Sequence, residues 1–496
     1  MEKDVLISEG KGVLISEEDK EFCEMRYTEY ISTRTFPTLY TDPIYGEMNF
    51  GKEGEGSFDL SENVGKLINC GALQRLRNIK QLSLAYYEYP DATHTRFSHS
   101  LGLGYLVKKA LEELRKNERS CIEIEKEIVN DCVIASILHD IGHGPFGHVT
   151  ESFLGRLPKF EYKHETFTLE FINRGLLDLG VALGNIHINK AYVLSLIDPN
   201  KPKKTHFALG MLISNKGIDL DRVDFLFRDI YHSGLQTEKE WIINPYSRED
   251  RQKFINILLS KSYIISAESL SQEEREKAKI PEGATILCFE DTPEVRKYVN
   301  FFFKLYTVMY HKVYGGHVNR SAQAMIAKAL HFAYETGELD VEDVHAFTDP
   351  EMFAFLENCS DNKIRDLAKC VKYRYLFKKL FTFKLADKNK TAKDIEDLIK
   401  KEINKDLDTK LSNILIIDII HPREVGPVYL KNDSDEVKPY NYNPESEQES
   451  NLYNELKEGY GSAFVAPNFD IDVKNTIKDL FFNKSCGLKS IEWSNG

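Results

Sequence analysis

Residues 137–148, ILHDIGHGPFGH, place three histidines and one aspartate among apolar neighbours. Buried imidazoles and carboxylates cost free energy unless a partner satisfies them. Neutral imidazole and carboxylate are also first-choice ligands for a divalent cation. His139 and His143 stand four residues apart, so they would share a helix face if the helix ran on to Gly142. Asp140 could turn toward the same ligand from the helix end. These residues fill only part of a coordination shell, and two other stretches have side chains of the right type. THTRFSHSLG (93–102) sets His94 and His99 on either side of Arg96. GIDLDRVDFLFRD (217–229) interrupts an apolar helix with Asp219, Asp221, Asp224 and Asp229. Asp221, Phe225 and Asp229 fall at i, i+4 and i+8 and share one face. A carboxylate in an apolar stripe calls for a cationic partner.

The elements that must carry these residues are mostly helical. From Val64 to about Ile242, apolar residues recur at helical spacing. Val64, Leu67, Ile68, Leu73, Leu76 and Ile79 make one stripe. Ile128, Cys132, Ala135, Ile137 and Leu138 line the helix that leads into ILHDIGH. Gly234 is placed to close the helix through Asp221. Residues 1–35 read as a polar arm with some helix, and RTFPTLYTDPIYGEMNF (34–50) reads as a hairpin. SYIISAESL (262–270) and ATILCFE (284–290) read as short strands. Another helical block covers Thr292 to Thr336, with helices continuing to about Phe383. NILIIDII (413–420) reads as a buried strand, and KNDSDEVKPYNYNPESEQESN (431–451) as a solvated loop. The expected organisation is an N-terminal arm (1–41), a helical core (42–383) and a C-terminal lobe (384–496). The expected fold class is mainly α, with small β-hairpins and a mixed α/β C-terminal lobe.

At 496 residues, 42% hydrophobic and 29% charged, the composition is that of a globular enzyme with room for more than one lobe. The formal net charge of −13 argues against a nucleic-acid-binding surface. An anionic small ligand needs only a local Arg/Lys cluster and a metal. Basic LFKKLFTFKLADKNKTAKD (376–394) has acidic neighbours and reads as a solvated helical surface. No run approaches the ~18 apolar residues of a membrane span. The N-terminus lacks the pattern of a signal peptide. Eight cysteines without a C-x-x-C pair suggest reduced thiols in a cytoplasmic protein, without structural zinc.

Four stretches together resemble one family: LQRLRNIKQLSLAYYEYPDATHTRFSHSLGLGYL (73–106), ILHDIGHGPFGHVTE (137–151), KHE (163–165) and GIDLDRVDFLFRDIYHSG (217–234). The chain is similar here to the HD-domain deoxynucleoside triphosphate triphosphohydrolases, both the animal enzyme that carries a SAM domain and its bacterial relatives. The likeness is strong over about Asp42–Gly234 and thins to scattered matches around LYTVMYHKVYGGHV (305–318). No SAM domain is expected ahead of Asp42. The resemblance implies a helical HD core that hydrolyses a dNTP to deoxynucleoside and inorganic triphosphate. It implies a divalent metal (Fe, Mn, Zn or Mg) on His99, His139, Asp140 and Asp221. His148 would be the general acid for the ribose 5′-oxygen, oriented by His164 and Glu151, with His143 beside the phosphates. The family usually has Asp where this chain has Glu151. Arg96 and Arg222 would hold triphosphate oxygens, and Arg222 replaces a Lys. Phe225 replaces a Tyr, which removes a phosphate hydrogen bond. Gln81 and Asp229 match residues that contact the sugar 3′-hydroxyl. Leu82 and Tyr314 match the wall that excludes a 2′-hydroxyl.

The resemblance also implies a homo-oligomer, dimer or tetramer, with a nucleotide effector. Gln74 and Arg77 match the first allosteric site. Asn69 stands where an Asp reads guanine, and Thr38 where a Lys meets phosphate, which argues against guanine-specific activation of the same form. The implied role is dNTP-pool control or antiphage defence. Two rival functions are an HD-type nucleotide phosphodiesterase or monophosphatase, and an inactive nucleotide-binding regulator. Structural readings compete at single residues. His143 and His148 could only cap the GHGPFGH turn, Arg96 could only pair with a carboxylate, and Asp229 could be an exposed helix residue. Tyr314 could be packing, and His232 is read as structural.

Overall fold

Helical spacing of apolar residues produces helices over most of the chain in the computed structural model. It describes residues 17–54, 57–157, 164–198, 207–236, 241–385, 392, 394–396, 415–420, 423, 425–467 and 488–493. The fold is mainly α with small β sheets. α1 (Glu17–Ser32) is followed by the expected hairpin, β1 (Leu39–Asp42) and β2 (Gly46–Asn49). Asp42 closes that turn, its Oδ1 accepting from the amides of Ile44 and Tyr45 at 2.8 and 3.1 Å. Residues 1–16 of the expected arm lie outside the described residues.

The stripe from Val64 to Ile79 is buried throughout, but it is not one helix. It breaks into α2 (Ser61–Ile68), α3 (Gly71–Gln74) and a 3₁₀ turn, Arg75–Asn78. Cys70 is extended there, with ψ 143°. The carboxylate of Asp178 accepts from the amides of Gly71 (2.7 Å) and Ala72 (3.2 Å), so the new helix start is capped from a distant part of the chain.

α4 (Arg96–Lys116), α5 (Lys126–Leu138) and, further on, α11 (Leu220–Ser233) form the centre. α4 and α11 meet at Gly102, where a Cβ would stand 2.2 Å from Asp224 Oδ1. Between α5 and α11 come α6 (His148–Leu154), α7 (His164–Arg174), α8 (Leu179–Gly184), α9 (Lys190–Ile197) and α10 (Phe207–Ile213). Gly234, at φ 62°, closes α11. Next come α12 (Arg248–Ser260), β3 (Ser262–Ser266), α13 (Gln272–Ala278), β4 (Thr285–Glu290) and α14 (Pro293–Met309). A π-turn at Tyr310–Tyr314 leads into α15 (His317–Glu335), α16 (Asp349–Asn358) and α17 (Asn362–Lys372).

Two sequence readings fail beyond this point. Helix ends at Lys372, and β5 (Lys378–Leu385) follows in place of a helix to Phe383 with a solvated helical surface. Phe381 and Phe383 are buried two residues apart, the spacing of a strand face. The segment 431–451 is also no simple loop. β7 (Val428–Lys431) and β8 (Val437–Tyr440) form a hairpin, and α18 (Glu447–Glu458) starts at the Ser446 cap. Its charges crowd the hairpin turn, while Val437, Tyr442 and Tyr453 are buried. β6 (Leu415–Ile420) is the expected buried strand, and β9 (Tyr460–Val465) and β10 (Leu488–Trp493) complete the set. The sheets run β10-β5-β9-β6 and β3-β4-β7-β8, with β4 and β7 parallel.

Two apolar cores result. The larger holds the faces of α4, α5 and α11. The second packs Phe146, Val149 and Phe153 against Met325 and Leu330 of α15, with Ile416 and Phe464 from the β6–β9 pair. Among the described residues no helix is long and apolar enough to cross a membrane.

Candidate metal centre and catalytic histidines

The four side chains matched to metal ligands converge. His99, on the first turn of α4, is fully buried. Its Nε2 lies 3.3 Å from His139 Nε2, 3.0 Å from Asp221 Oδ1 and 3.8 Å from Asp140 Oδ2. His139 Nε2 lies 3.3 Å from Asp140 Oδ1 and 3.5 Å from Asp221 Oδ1. Hydrogen bonds fix which ring nitrogens face inward. His139 Nδ1 lies 2.7 Å from the Ser136 carbonyl, which can only accept, so Nδ1 carries the proton. His99 Nδ1 donates likewise to Asp224 Oδ2 at 2.8 Å. Both Nε2 atoms then present lone pairs to each other and to Asp221. Such a set needs a proton or a cation between its members. Donor atoms about 2.0–2.1 Å from one ion stand roughly 3.0–3.4 Å apart. The 3.0–3.5 Å separations among His99, His139 and Asp221 come close to that, so these three are able to hold one divalent ion, whereas Asp140 lies 3.3 Å from His139 but 3.8 Å from His99. Without one, burial works against protonation of His99, yet its bonds to Asp221 and Asp224 raise it to about 10. Asp140 and Asp221 are buried, which favours the neutral acid. The surrounding imidazoles, and Arg96 at Asp140, outweigh this and hold both well below the ordinary carboxylate range.

One element differs from the sequence reading. α5 stops at Leu138, so His139 and His143 do not share a helix face. Gly142 approaches α7 so closely that a Cβ would stand 2.2 Å from Thr168 N. Thr168 Oγ1 donates to His139 O at 2.9 Å and accepts from Gly142 N at 3.0 Å, in place of helical bonds. Arg75 donates to the carbonyls of Ile141 and His143 at 2.7 and 2.8 Å. The turn sends His139 toward His99 and His143 toward α7.

His143, His148, Glu151 and His164 form a second cluster. Glu151 bridges two imidazoles, with Oε2 2.7 Å from His148 Nδ1 and Oε1 2.8 Å from His164 Nδ1. Burial would lower His164, but the Glu151 hydrogen bond raises it to about 9. His143 stacks on His164 with centroids 4.1 Å apart. Burial, then Arg96 and His164, push it well below the usual histidine value. Asp140 joins the clusters, its Oδ1 3.3 Å from His143 Nε2 and 3.8 Å from His164 Nε2. The His148 side chain is 47% exposed and open to a ligand. Phe146, at φ 58°, starts the turn into α6, and its amide donates to Asp349 at 2.6 Å.

The residues matched to substrate contacts divide. Arg96 is buried and donates to Asp140 Oδ2 at 2.5 Å. Arg222 is bound to Asp219 at 2.9 Å and to the Asn215 carbonyl, in contact with the rings of Phe302 and Tyr306. Phe225 lies between His99 (6.3 Å) and Tyr314 (6.2 Å). Asp229 is buried and accepts from Tyr314 at 2.8 Å. Leu82 is buried, and Gln81 Oε1 is a buried acceptor without a protein partner. Away from these, Arg77 Nε donates to Gln74 Oε1 at 2.7 Å, and Arg77 lies over Phe97. A cavity of about 600 Å³ is lined by His317, Arg374, Leu376, Phe377, Lys378 and Lys379.

Several supporting residues escape a reading of the sequence, and Asp224, singled out there only as one of four carboxylates, proves to be a support for His99. Asp224 holds His99, and in turn accepts from Tyr45 (2.7 Å) and Arg228 (2.8 and 2.9 Å), while Arg228 reaches Asp42 at 2.7 Å. The Asp224/Arg228 pair at i, i+4 in an apolar helix was a visible signal. Asp42, Tyr45, Arg75 and Thr168 gave none, because their partners are remote in sequence.

Comparison with known proteins agrees with this geometry. Residues 96–213 match the family model described as HD domain, and residues 306–428 the one described as HD associated region. Over those two segments the chain is similar to HD-domain proteins. It is similar to the deoxynucleoside triphosphate triphosphohydrolases of that class. SAMHD1 of Mus musculus, which bears that name, is 31% identical over 257 residues, 47% of this chain and 37% of the mouse protein. The MG461 homolog of Mycoplasma pneumoniae is 35% identical over 40% of this chain and 44% of its own length. YwfO of Bacillus subtilis is 28% identical over 57% of this chain and 55% of its own length. The chain thus spans about half, or less, of these relatives.

Proposed function

We propose that the chain is a metal-dependent hydrolase that converts dNTPs to deoxynucleoside and inorganic triphosphate. The observation that carries this reading is the meeting of inward-facing lone pairs from His99, His139 and Asp221 beside Asp140, next to a carboxylate-bridged histidine pair. His99, His139, Asp140 and Asp221 would hold the ion. Bound there, a divalent ion would supply a more acidic water and electrophilic polarisation of the α-phosphate.

The protein groups supply the rest. His148 gives a proton to the ribose 5′-oxygen, a poor leaving group that departs only with help. Its Nδ1 is tied to Glu151, which leaves Nε2 for the substrate. Glu151 keeps His164 cationic and aims both rings. His143 stays neutral beside the phosphates. Arg96 neutralises Asp140 from behind. Gln81 and Asp229 meet the sugar 3′-hydroxyl, and Leu82, Phe225 and Tyr314 form the wall. Arg222 reaches phosphate only by leaving Asp219. The basic cavity at His317, Arg374, Lys378 and Lys379, with its apolar floor, suits a nucleotide effector, and Gln74 and Arg77 are a second effector locus. We place the enzyme in dNTP-pool control or antiphage defence, acting as a cytoplasmic homo-oligomer.

The test is a matrix of the four dNTPs against all nucleotides as effectors, with products resolved by chromatography. Inorganic triphosphate supports the proposal. Monophosphate or orthophosphate points to a phosphodiesterase or monophosphatase, and binding without turnover to a regulator. His139→Ala and Asp221→Ala are expected to abolish turnover with the fold retained.

A further inference from the structure

His94 touches both residues assigned to the sugar 3′-hydroxyl. Its backbone carbonyl accepts from the backbone N–H of Gln81 at 3.0 Å. Its Nε2 lies 2.7 Å from Asp229 Oδ1, with the two side chains only 3% and 2% exposed. Tyr314 occupies the other oxygen, Oδ2, at 2.8 Å. Asp229 has no other basic partner within ion-pair distance among the described residues, since neighbouring Arg228 is held by Asp224 and Asp42. His232 stacks on the His94 ring at 4.5 Å and 15°, fixing its plane. A buried carboxylate keeps one orientation only while its partners hold it. Asp229 has a hydrogen bond on each oxygen, and a carboxylate offers about four acceptor sites, so it can still accept from a ligand.

We propose that His94 is a positioning residue for sugar recognition. Through its ring it aims Asp229 at the 3′-hydroxyl, beside Gln81, whose backbone is held by the carbonyl at position 94 whatever the side chain there. The inference rests on the dNTP reading above. A site built to hydrogen-bond a hydroxyl rejects analogues that lack it far more strongly than an apolar pocket rejects a size change. That rejection depends on the acceptor being held in place. Among the described residues the His94 side chain contacts Asp229 and His232 and not His99, His139, Asp140, Asp221 or His148, so its loss should act on 3′-hydroxyl discrimination rather than on chemistry in general.

The experiment compares kcat/KM for each dNTP with that for its 2′,3′-dideoxy analogue in wild type, His94→Asn and His94→Gln. Asn keeps a polar side chain too short to reach Asp229, whereas the Gln amide can replace Nε2–H. The wild type should prefer the dNTP. His94→Asn should lower that preference by about tenfold or more, the scale of one lost hydrogen bond of about 1.4 kcal/mol. The loss should fall on the dNTP, with turnover of the dideoxy analogue little changed. His94→Gln should restore the ratio to within a few-fold of wild type. Melting temperatures identify misfolding. If His94→Asn does not fold, His94→Ala takes its place: a wild-type ratio in the folded variant overturns the inference and a lowered one supports it. Undiminished discrimination in folded His94→Asn overturns this inference alone. Absence of dNTP turnover in the wild type overturns the proposed function, and this inference with it.

Discussion

At the scale of single residues, the site works by fixing protons. Each candidate ligand imidazole has its outer nitrogen committed to an acceptor, so with an ion bound the inner one would offer its lone pair. Asp224 is the more demanding of the two holders, because it is itself buried and depends on Arg228 and Tyr45. Asp224→Asn should lower divalent-metal affinity by about 10–100-fold, measured by competition with a chelating dye. Glu151 sets a pH limit. His164 is raised to about 9 in the folded protein against about 6.5 in an unfolded chain. The stability this contributes is therefore complete below about 6.5 and lost as pH rises toward 9. Glu151→Gln should move that alkaline loss down toward 6.5, in both the melting temperature and the kcat–pH profile.

At the scale of elements, close approach decides which turns form. α4 and α11 can share the His99–Asp224 bond because Gly102 has no side chain. Gly102→Ala would press a methyl group into the buried Asp224–Arg228 pair. Overpacking of this kind typically costs about 1–3 kcal/mol, and a broken buried pair about 3–5. A melting curve should register a loss of that order, and unaltered stability would show that the helices can spread. This is also the scale at which the sequence was least informative. The run to Leu138 was legible as helix, but its end was not, because Thr168 and Arg75 set it from other segments. The stripe at Val64–Ile79 was legible as buried but not as broken, since the break is capped by Asp178. At 378–385 the lysines suggested a solvated helix, and the alternation of Phe381 and Phe383 was the better guide. The four candidate ligand positions stood out because three short segments each combined unusual residue types. Their supports looked ordinary, because a lone Asp42 or Tyr45 carries no local signal.

At the scale of the whole molecule, the ion would act as a tie between α4, the turn after α5 and α11. Loading a bound cation to about 100 times its Kd should stabilise the fold by roughly 2.7 kcal/mol. The melting temperature of metal-stripped protein should rise on re-addition in the wild type and stay unmoved in Asp221→Ala. A second long-range link runs through Arg156, just beyond α6. It donates to Glu396 at 3.1 Å and to the Ile417 carbonyl of β6 at 2.7 Å. Arg156→Ala should lower kcat while metal affinity stays within about twofold, because it touches the seat of α6 and not the ligands.

That seat has a mechanical meaning. His148 rides on a helix rooted in the second core, against α15 and the β6–β9 pair, whereas His99 and Asp221 belong to helices of the first. The proposed proton donor and the proposed ligands thus sit on elements of two different apolar cores, linked through Glu151 and Asp140. A small shift of one core against the other would withdraw the proposed donor while leaving the proposed ligands together, so turnover would be lost with ion binding intact.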